Sequence, residues 1–285
     1  MIDPTAIGRH RAEQLTGNEF SLIEQFYKHL AEYTRMTGQG PIESAERVLD
    51  IIEALKTEQA LGVTELAERV GMPKSTVHVH LSTLKSRGYV VQDQNKAYRL
   101  SLRFLDVGMK VRERQEMYQE VRPKLNEIAA ETDEKAWWIV EENGKAVFLA
   151  KSLGSRAIQT NSQIGQYTEL YRLAGGMAIL SVLPKHRRET ILESYDYPLP
   201  DGRNRAELEA ELNEIQDRGV AYGIDQFLEG VAGVGAPLVD NAGNTYGAIS
   251  VSGPANRLDS ERIENELTGL IRGISGELQV NLSYQ

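Results

Sequence analysis

Residues 63–90 read "VTELAERVGMPKSTVHVHLSTLKSRGYV", and this stretch decides the fold. Leu66, Ala67 and Val70 share one side of a short helix, with Thr64 expected as its cap and Gly71 as its stop. Pro73 then suits the first turn of a second helix, where a missing N–H costs nothing. On that helix Val77, Leu81 and Leu84 recur at i, i+4 and i+7 and form a core face. Lys74, His78, Ser82 and Lys85 fall on another face that is short, polar and basic. Ser75 and Thr76 lie in its first turn, where hydroxyls and backbone N–H groups can hold phosphate oxygens. Arg87 and Gly88 end it.

Working outward, "ESAERVLDIIEALKTEQ" supplies a preceding helix with Val48, Ile51, Ile52 and Leu55 on one face, and Ser44 as the expected N-cap. "YVVQDQNKAYRLS" reads as two short strands around a polar turn at 93–96. Three helices with a tight turn between the last two, then a hairpin, make a winged helix-turn-helix. Lys96 and Arg99 on the wing could reach a flanking phosphate backbone.

Charge supports that reading. The 285-residue chain has a formal net charge of −9, which disfavours a generally DNA-adhesive surface. Between residues 69 and 103, however, Arg69, Lys74, Lys85, Arg87, Lys96, Arg99 and Arg103 face Asp93 alone. Such a local positive region is an electrostatic footprint for phosphates. His78 and His80 at i, i+2 point to different sides of a helix and form no metal site.

The chain contains no cysteine, which excludes disulfides, thiolate metal sites and cysteine nucleophiles. No run of about 18 apolar residues suggests a membrane span, and the N-terminus lacks a secretory pattern. A cytoplasmic protein is expected. "GVAGVG" has the wrong glycine order for a dinucleotide loop and leads into a strand. No cofactor, metal or catalytic set is indicated.

Downstream, residues 102–132 read as helix, kinked or restarted at Pro123. "KAWWIVEENGKAVFLAKS" reads as a hairpin turning at Asn143-Gly144. "RAIQTN" reads as a strand, and "ELYRLAGGMAILSVL" and "RAELEAELNEIQDRG" as helices. "VAGVGAPLVDNAGNTYGAISVSG" gives two strands, and a closing helix follows. Strands that run through hairpins predict a largely antiparallel sheet. In "YGAISVSGP", alternation puts Tyr246, Ala248, Ser250 and Ser252 on one face and Gly247, Ile249 and Val251 on the other.

These motifs resemble the IclR-type bacterial and archaeal transcriptional regulators over roughly residues 42–282. The likeness rests on "SAERVLDIIEAL", the stretch quoted first, "KAYRLSLRFLDVG", "GVGAPLVDNAGNTYGAISVSGPANRL" and "GISGEL". It implies an α+β chain: a winged helix-turn-helix over 41–101, a linker helix over 102–117, and a GAF-like effector domain with an antiparallel sheet over 118–285. Residues 18–37 read as a helix with Leu22, Phe26, Leu30 and Tyr33 on one stripe, so residues 1–40 are expected to form a helical extension before that unit. The resemblance implies binding of a double-stranded DNA operator by a homodimer or a dimer of dimers, and a small-molecule effector, often an organic acid, sugar acid or aromatic compound. It places Thr160, Ala174, Gly175, Val231, Ser250, Ser252 and, by approximate match, Asp225 at the effector pocket. The family pattern breaks at "GQYTELYRLAGGMAIL", where Tyr171, Leu173 and Met177 replace a His, a Thr and a Lys. Three other readings stay open: a small-molecule enzyme carrying an accessory winged domain, an effector-independent DNA-binding regulator, and a protein-interaction module whose winged unit has lost DNA.

Overall fold

The computed structural model describes residues 42–224 and 226–282. The expected helix at 18–37, the 1–40 extension and Asp225 lie outside the described residues. Compactness divides the chain into two units, with the division after Gly108.

The first unit is built from α1 (Glu43–Thr57), α2 (Val63–Val70), α3 (Lys74–Ser86), β1 (Val90–Gln92) and β2 (Tyr98–Leu100). Ile51, Leu55, Leu66, Val77, Leu81 and Val90 are buried together as its core. The two expected caps are corrected. Ser44 and Thr64 lie inside their helices, which Ile42 and Gly62 precede. At α2 the first turn is tied instead by Glu65, whose carboxylate accepts the Gly62 N–H at 2.8 Å. Gly71 adopts φ 64° and ends α2, and the Met72 N–H reaches back to the Ala67 carbonyl at 3.0 Å. That left-handed residue reverses the chain into α3 within three residues.

The wing is held by its own acid. Asp93 Oδ1 accepts from the Asn95 and Ala97 N–H groups, each at 2.9 Å. Lys96 takes φ 62° at the tip. Tyr98 also exchanges two backbone hydrogen bonds with Leu61, which joins the wing to the α1–α2 loop. Arg103 donates to the Arg87 carbonyl at 3.0 Å and lies 4.9 Å from the Tyr89 ring centre.

α4 (Arg103–Glu113) has no buried residue. The expected break at Pro123 is corrected: the chain breaks at Met117, which has φ 66°, and Pro123 lies inside α5 (Tyr118–Thr132). Tyr118 anchors the restart, its ring 6.4 Å from Trp138. Beyond the first turn a proline removes one helical hydrogen bond, and the buried stripe of Val121, Leu125 and Ile128 holds the helix together regardless.

The second unit is a six-stranded antiparallel sheet between two helical layers. Its strands are β3 (Lys135–Glu142), β4 (Lys145–Leu153), β5 (Tyr167–Glu169), β6 (Ala221–Ile224), β7 (Val231–Val239) and β8 (Thr245–Pro254), in the order β5-β4-β3-β8-β7-β6. Asn143 and Gly144 both have positive φ, which makes the tight hairpin turn that sequence reading expected. On one face, α5 and α9 (Thr268–Leu282) pack on Trp138, Val234, Ile249 and Val251. On the other, α6 (Ala174–Val182) packs on Trp137, Ile139 and Phe148, and α8 (Arg205–Arg218) packs on α6. α7 (Lys185–Glu193) follows α6. Residues 174–181 are all buried, as befits a helix that is apolar all round.

Three further expectations are corrected. "RAIQTN" is not a strand; the Arg156 N–H bonds the Asp133 carbonyl at 3.0 Å, which turns the chain off the sheet, and β5 takes the edge. The helix expected from residue 169 begins at Ala174, after a 3-10 turn at Leu170–Arg172. Tyr246 sits on the opposite side from Ser250, packed against the α5–α9 core. Gly247 causes this. At φ 96° it breaks the alternation, and a Cβ there would lie 2.1 Å from the Ile139 carbonyl oxygen.

An ion pair locks one end of the sheet. Glu134, 1 % exposed, accepts two hydrogen bonds from Arg257, each at 2.7 Å. Arg257 also donates to the Arg156 carbonyl at 2.8 Å. One guanidinium thus joins the start of β3, the loop after β4 and the segment after β8.

Candidate nucleic-acid interface and ligand cavity

On α3 the side chains of Lys74, Ser75, His78, Ser82, Lys85 and Arg87 are exposed, and Thr76 is half-buried. Lys96 and Arg99 are exposed on the wing. Lys85 donates to Gln92 Oε1 at 2.9 Å, so the basic stripe of α3 runs along its wing side. Asp93, the one acid of residues 69–103, is committed to the wing turn, and Arg69 is paired with Glu58 at 2.6 Å.

The centre of the outward face is different from the residues singled out by charge. Opposite Val77, Leu81 and Leu84 lie Ser75, Val79, Ser82 and Ser86, and Val79 is 63 % exposed. Sequence reading missed Val79 because an apolar residue defaults to the core. The helical period held the signal: Val79 falls off the stripe that Val77, Leu81 and Leu84 define. An apolar side chain amid hydroxyls and cations suits a major groove, where thymine methyls are the apolar feature.

In the second unit a cavity of about 580 Å³, its open side included, lies between the sheet and the start of α6. Six of the residues that the resemblance pointed to line it: Thr160, Ala174, Gly175, Val231, Ser250 and Ser252. The register explains the meeting. Ser250 and Ser252 stand opposite Gly235 and Gly233 on β7, and a Cβ on Gly235 would lie 2.7 Å from the Gly175 nitrogen. Bare backbone in β7 therefore lets the α6 N-terminus, which lacks a side-chain cap, come down beside the two serines.

The cavity also has walls that sequence reading did not find. Trp137 and Phe148 rings lie 4.7 Å apart, and Phe227 lies 5.8 Å from Phe148. Arg172 stands 5.6 Å over the Phe227 ring. Ser162 and Gln226 add polar atoms, and Gln226 Oε1 is buried without a hydrogen-bond partner. "AWWIV" offered two tryptophans on opposite sheet faces and nothing local to say which faced the cavity. The substituted family positions are accounted for by packing. Tyr171 is buried against Tyr195, ring centres 4.9 Å apart; Met177 is fully buried beneath the sheet; Leu173 forms cavity wall.

Two sequence comparisons coincide with these two units. Residues 44–94 match the IclR helix-turn-helix domain, and residues 109–279 match the bacterial transcriptional regulator IclR C-terminal domain. This chain belongs to the IclR family of transcriptional regulators. It is 31 % identical over 239 residues to the HTH-type transcriptional regulator Rv1719 of Mycobacterium tuberculosis, covering 82 % of this chain and 90 % of that one. It is 26 % identical over 247 residues to the HTH-type transcriptional regulator KdgR of Escherichia coli, covering 85 % and 94 %. The crystal structure of Thermotoga maritima IclR superposes with a TM-score of 0.71 at 25 % identity, covering 85 % of this chain and 98 % of that one. Among the described residues no cluster of three or more His, Asp or Glu is placed to hold a metal, and no helix is long and apolar enough to cross a membrane.

Proposed function

We propose that this IclR-family chain binds a double-stranded operator as a homodimer or dimer of dimers, in the cytoplasm, and that a small molecule in the sheet cavity sets its affinity. The observation that carries this reading is the exposed, positive wing side of α3, together with the wing itself, in a chain of net charge −9. Lys74, Ser75, Thr76, His78, Ser82, Lys85 and Arg87 would meet the groove and its phosphates, and Lys96 and Arg99 the flanking backbone. Thr160, Ala174, Gly175, Val231, Ser250 and Ser252, with Asp225, would hold the effector.

Dimerisation is supported by α4 and by Leu102 just before it. Leu102, Leu105, Val107, Met109 and Val111 are all exposed, Leu102 by 78 % and Leu105 by 59 %. A second copy would cover such an apolar surface. With two recognition helices, operator half-sites should lie about one or two duplex turns apart. Effector binding would act by changing the spacing of those helices through the linker region 102–117.

Genome-wide mapping of bound DNA, followed by gel-shift titration of the recovered fragment, tests the reading. A folded dimer that captures no fragment at low salt would refute it. Lys74→Ala and Lys85→Ala provide the residue-level check. Each should weaken operator binding about 5- to 10-fold and lower the slope of log K against log salt by about 1. An unchanged slope in both variants would remove these lysines from the phosphate contact.

A further inference from the structure

We propose that residues 18–37 lie as an antiparallel helix along an uncovered apolar row of α1, giving the winged unit a further helix from its own chain. The inference stands apart from the cavity and from operator binding, and needs neither.

α1 buries Ile51 and Leu55 in the core of its unit. A second apolar row lies on a different side of the same helix. Ile42, just before α1, is 73 % exposed, Ala45 is exposed, and Leu49 is 57 % exposed. Half-buried Ile52 joins this row to the core. The steps from Ile42 to Ile52 are three, four and three residues, which keeps the four side chains on one line. Glu46 and Glu53 run beside that line, so a duplex backbone is repelled from it.

The sequence before α1, outside the described residues, carries a matching row. From Tyr33 back through Leu30 and Phe26 to Leu22 the steps are three, four and four. Two helices running in opposite directions would therefore seat Tyr33 between Ile42 and Ala45, Leu30 between Ala45 and Leu49, and Phe26 between Leu49 and Ile52.

The tether selects this occupant. Residues 38–42 alone separate the two helical stretches, and five residues reach at most about 18 Å. Connections of about two to eight residues typically join antiparallel neighbours. Gly38, Gly40 and Pro41 supply the turn. Residues 18–37 also need a surface to pack on. Phe20, Ile23, Phe26, Tyr27 and Tyr33 are β-branched or aromatic, a composition of weak intrinsic helicity. Helices of that kind gain their stability by burying an apolar side. The match to the family helix-turn-helix begins at residue 44, so this pairing would add to that domain from outside it.

The chain has no cysteine, which makes a paired-cysteine test clean. The full chain carrying Leu30→Cys with Leu49→Cys, or Leu30→Cys with Ala45→Cys, is oxidised gently and run on a non-reducing gel. A disulfide closes only where the two Cα atoms come within about 7 Å. At least one pair should close within a single chain, about 10-fold or more faster than Lys28→Cys with Leu49→Cys, because Lys28 falls on the other side of the helix from Leu30 and Tyr33. Hydrogen exchange supplies the second readout. Amides of residues 22–33 should exchange at least about 100-fold slower than in an unstructured chain, and Leu49→Asp should remove about 10-fold or more of that protection. Leu49 is exposed, so the amides of α3 should keep theirs. Ala45→Asp serves as the second variant should Leu49→Asp disturb α3. No closure above the Lys28 control, unprotected amides at 22–33, or protection indifferent to the aspartate variants would each overturn the proposal. Closure between chains instead of within one would overturn it too, and would assign the row to a second copy.

Discussion

Val79→Asp should reduce operator affinity by about 100-fold or more while leaving the winged unit folded. Val79 stands at the middle of the outward side of α3, 63 % exposed. It makes no contribution to the buried core of Ile51, Leu66, Val77 and Leu81, so the substitution removes little packing. It does put a carboxylate where, on the proposed docking, the duplex approaches closest, among phosphates that repel it. The flanking Lys74 and Lys85 would be partly neutralised as well. Val79→Ala separates the two effects. It should retain most of the affinity and lose the preference for thymine over deoxyuridine at one position of each half-site, because the methyl contact is gone. Gel-shift titration with base-substituted operators reads both. Full affinity in Val79→Asp, with its circular dichroism unchanged, would show that this side of α3 does not face DNA.

Arg257→Met should lower the unfolding free energy of the second unit by about 3 kcal/mol, measured by urea denaturation. The variant leaves Glu134 buried at 1 % exposure with its main cationic partner removed. Arg262 stands 3.9 Å from the same carboxylate and offers partial relief, so the low end of the usual range applies. Glu134→Gln in the same background should recover much of the loss, since a neutral amide tolerates that site better than an unpaired anion. If the double variant is no more stable than Arg257→Met, the loss came from the Arg156 tether and not from the stranded charge. The loop through Arg156 leads to Thr160, so Arg257→Met should also weaken ligand binding in the cavity.

The winged unit was legible because each of its signals is local. Gly71, Pro73 and Gly88 punctuate it, and the buried residues of α2 and α3 follow one helical period. The sheet was legible through Asn143-Gly144 and through the paired strands around residues 240–244. What failed depended on contacts between distant segments. Residues 156–161 have strand-like composition, but the Asp133 carbonyl captures the Arg156 N–H and turns the chain away. Tyr246 left its expected face because Gly247 presses against Ile139. Of the cavity, the polar residues could be placed through family likeness. The aromatic wall of Trp137, Phe148 and Phe227 comes from three separate segments, and no local pattern distinguishes it from ordinary core.

The wing turn restricts how strongly this protein can be drawn to a polyanion. The simplest way to intensify a positive region is to delete the negative group within it. Here that group is Asp93, and the hairpin tip is folded around its carboxylate. Deleting it would scatter Lys96 and Arg99 from the positions that make them useful. Tuning by selection or by design must therefore add cations elsewhere or exchange Asp93 for asparagine, which keeps an oxygen for the two N–H groups and sheds the charge.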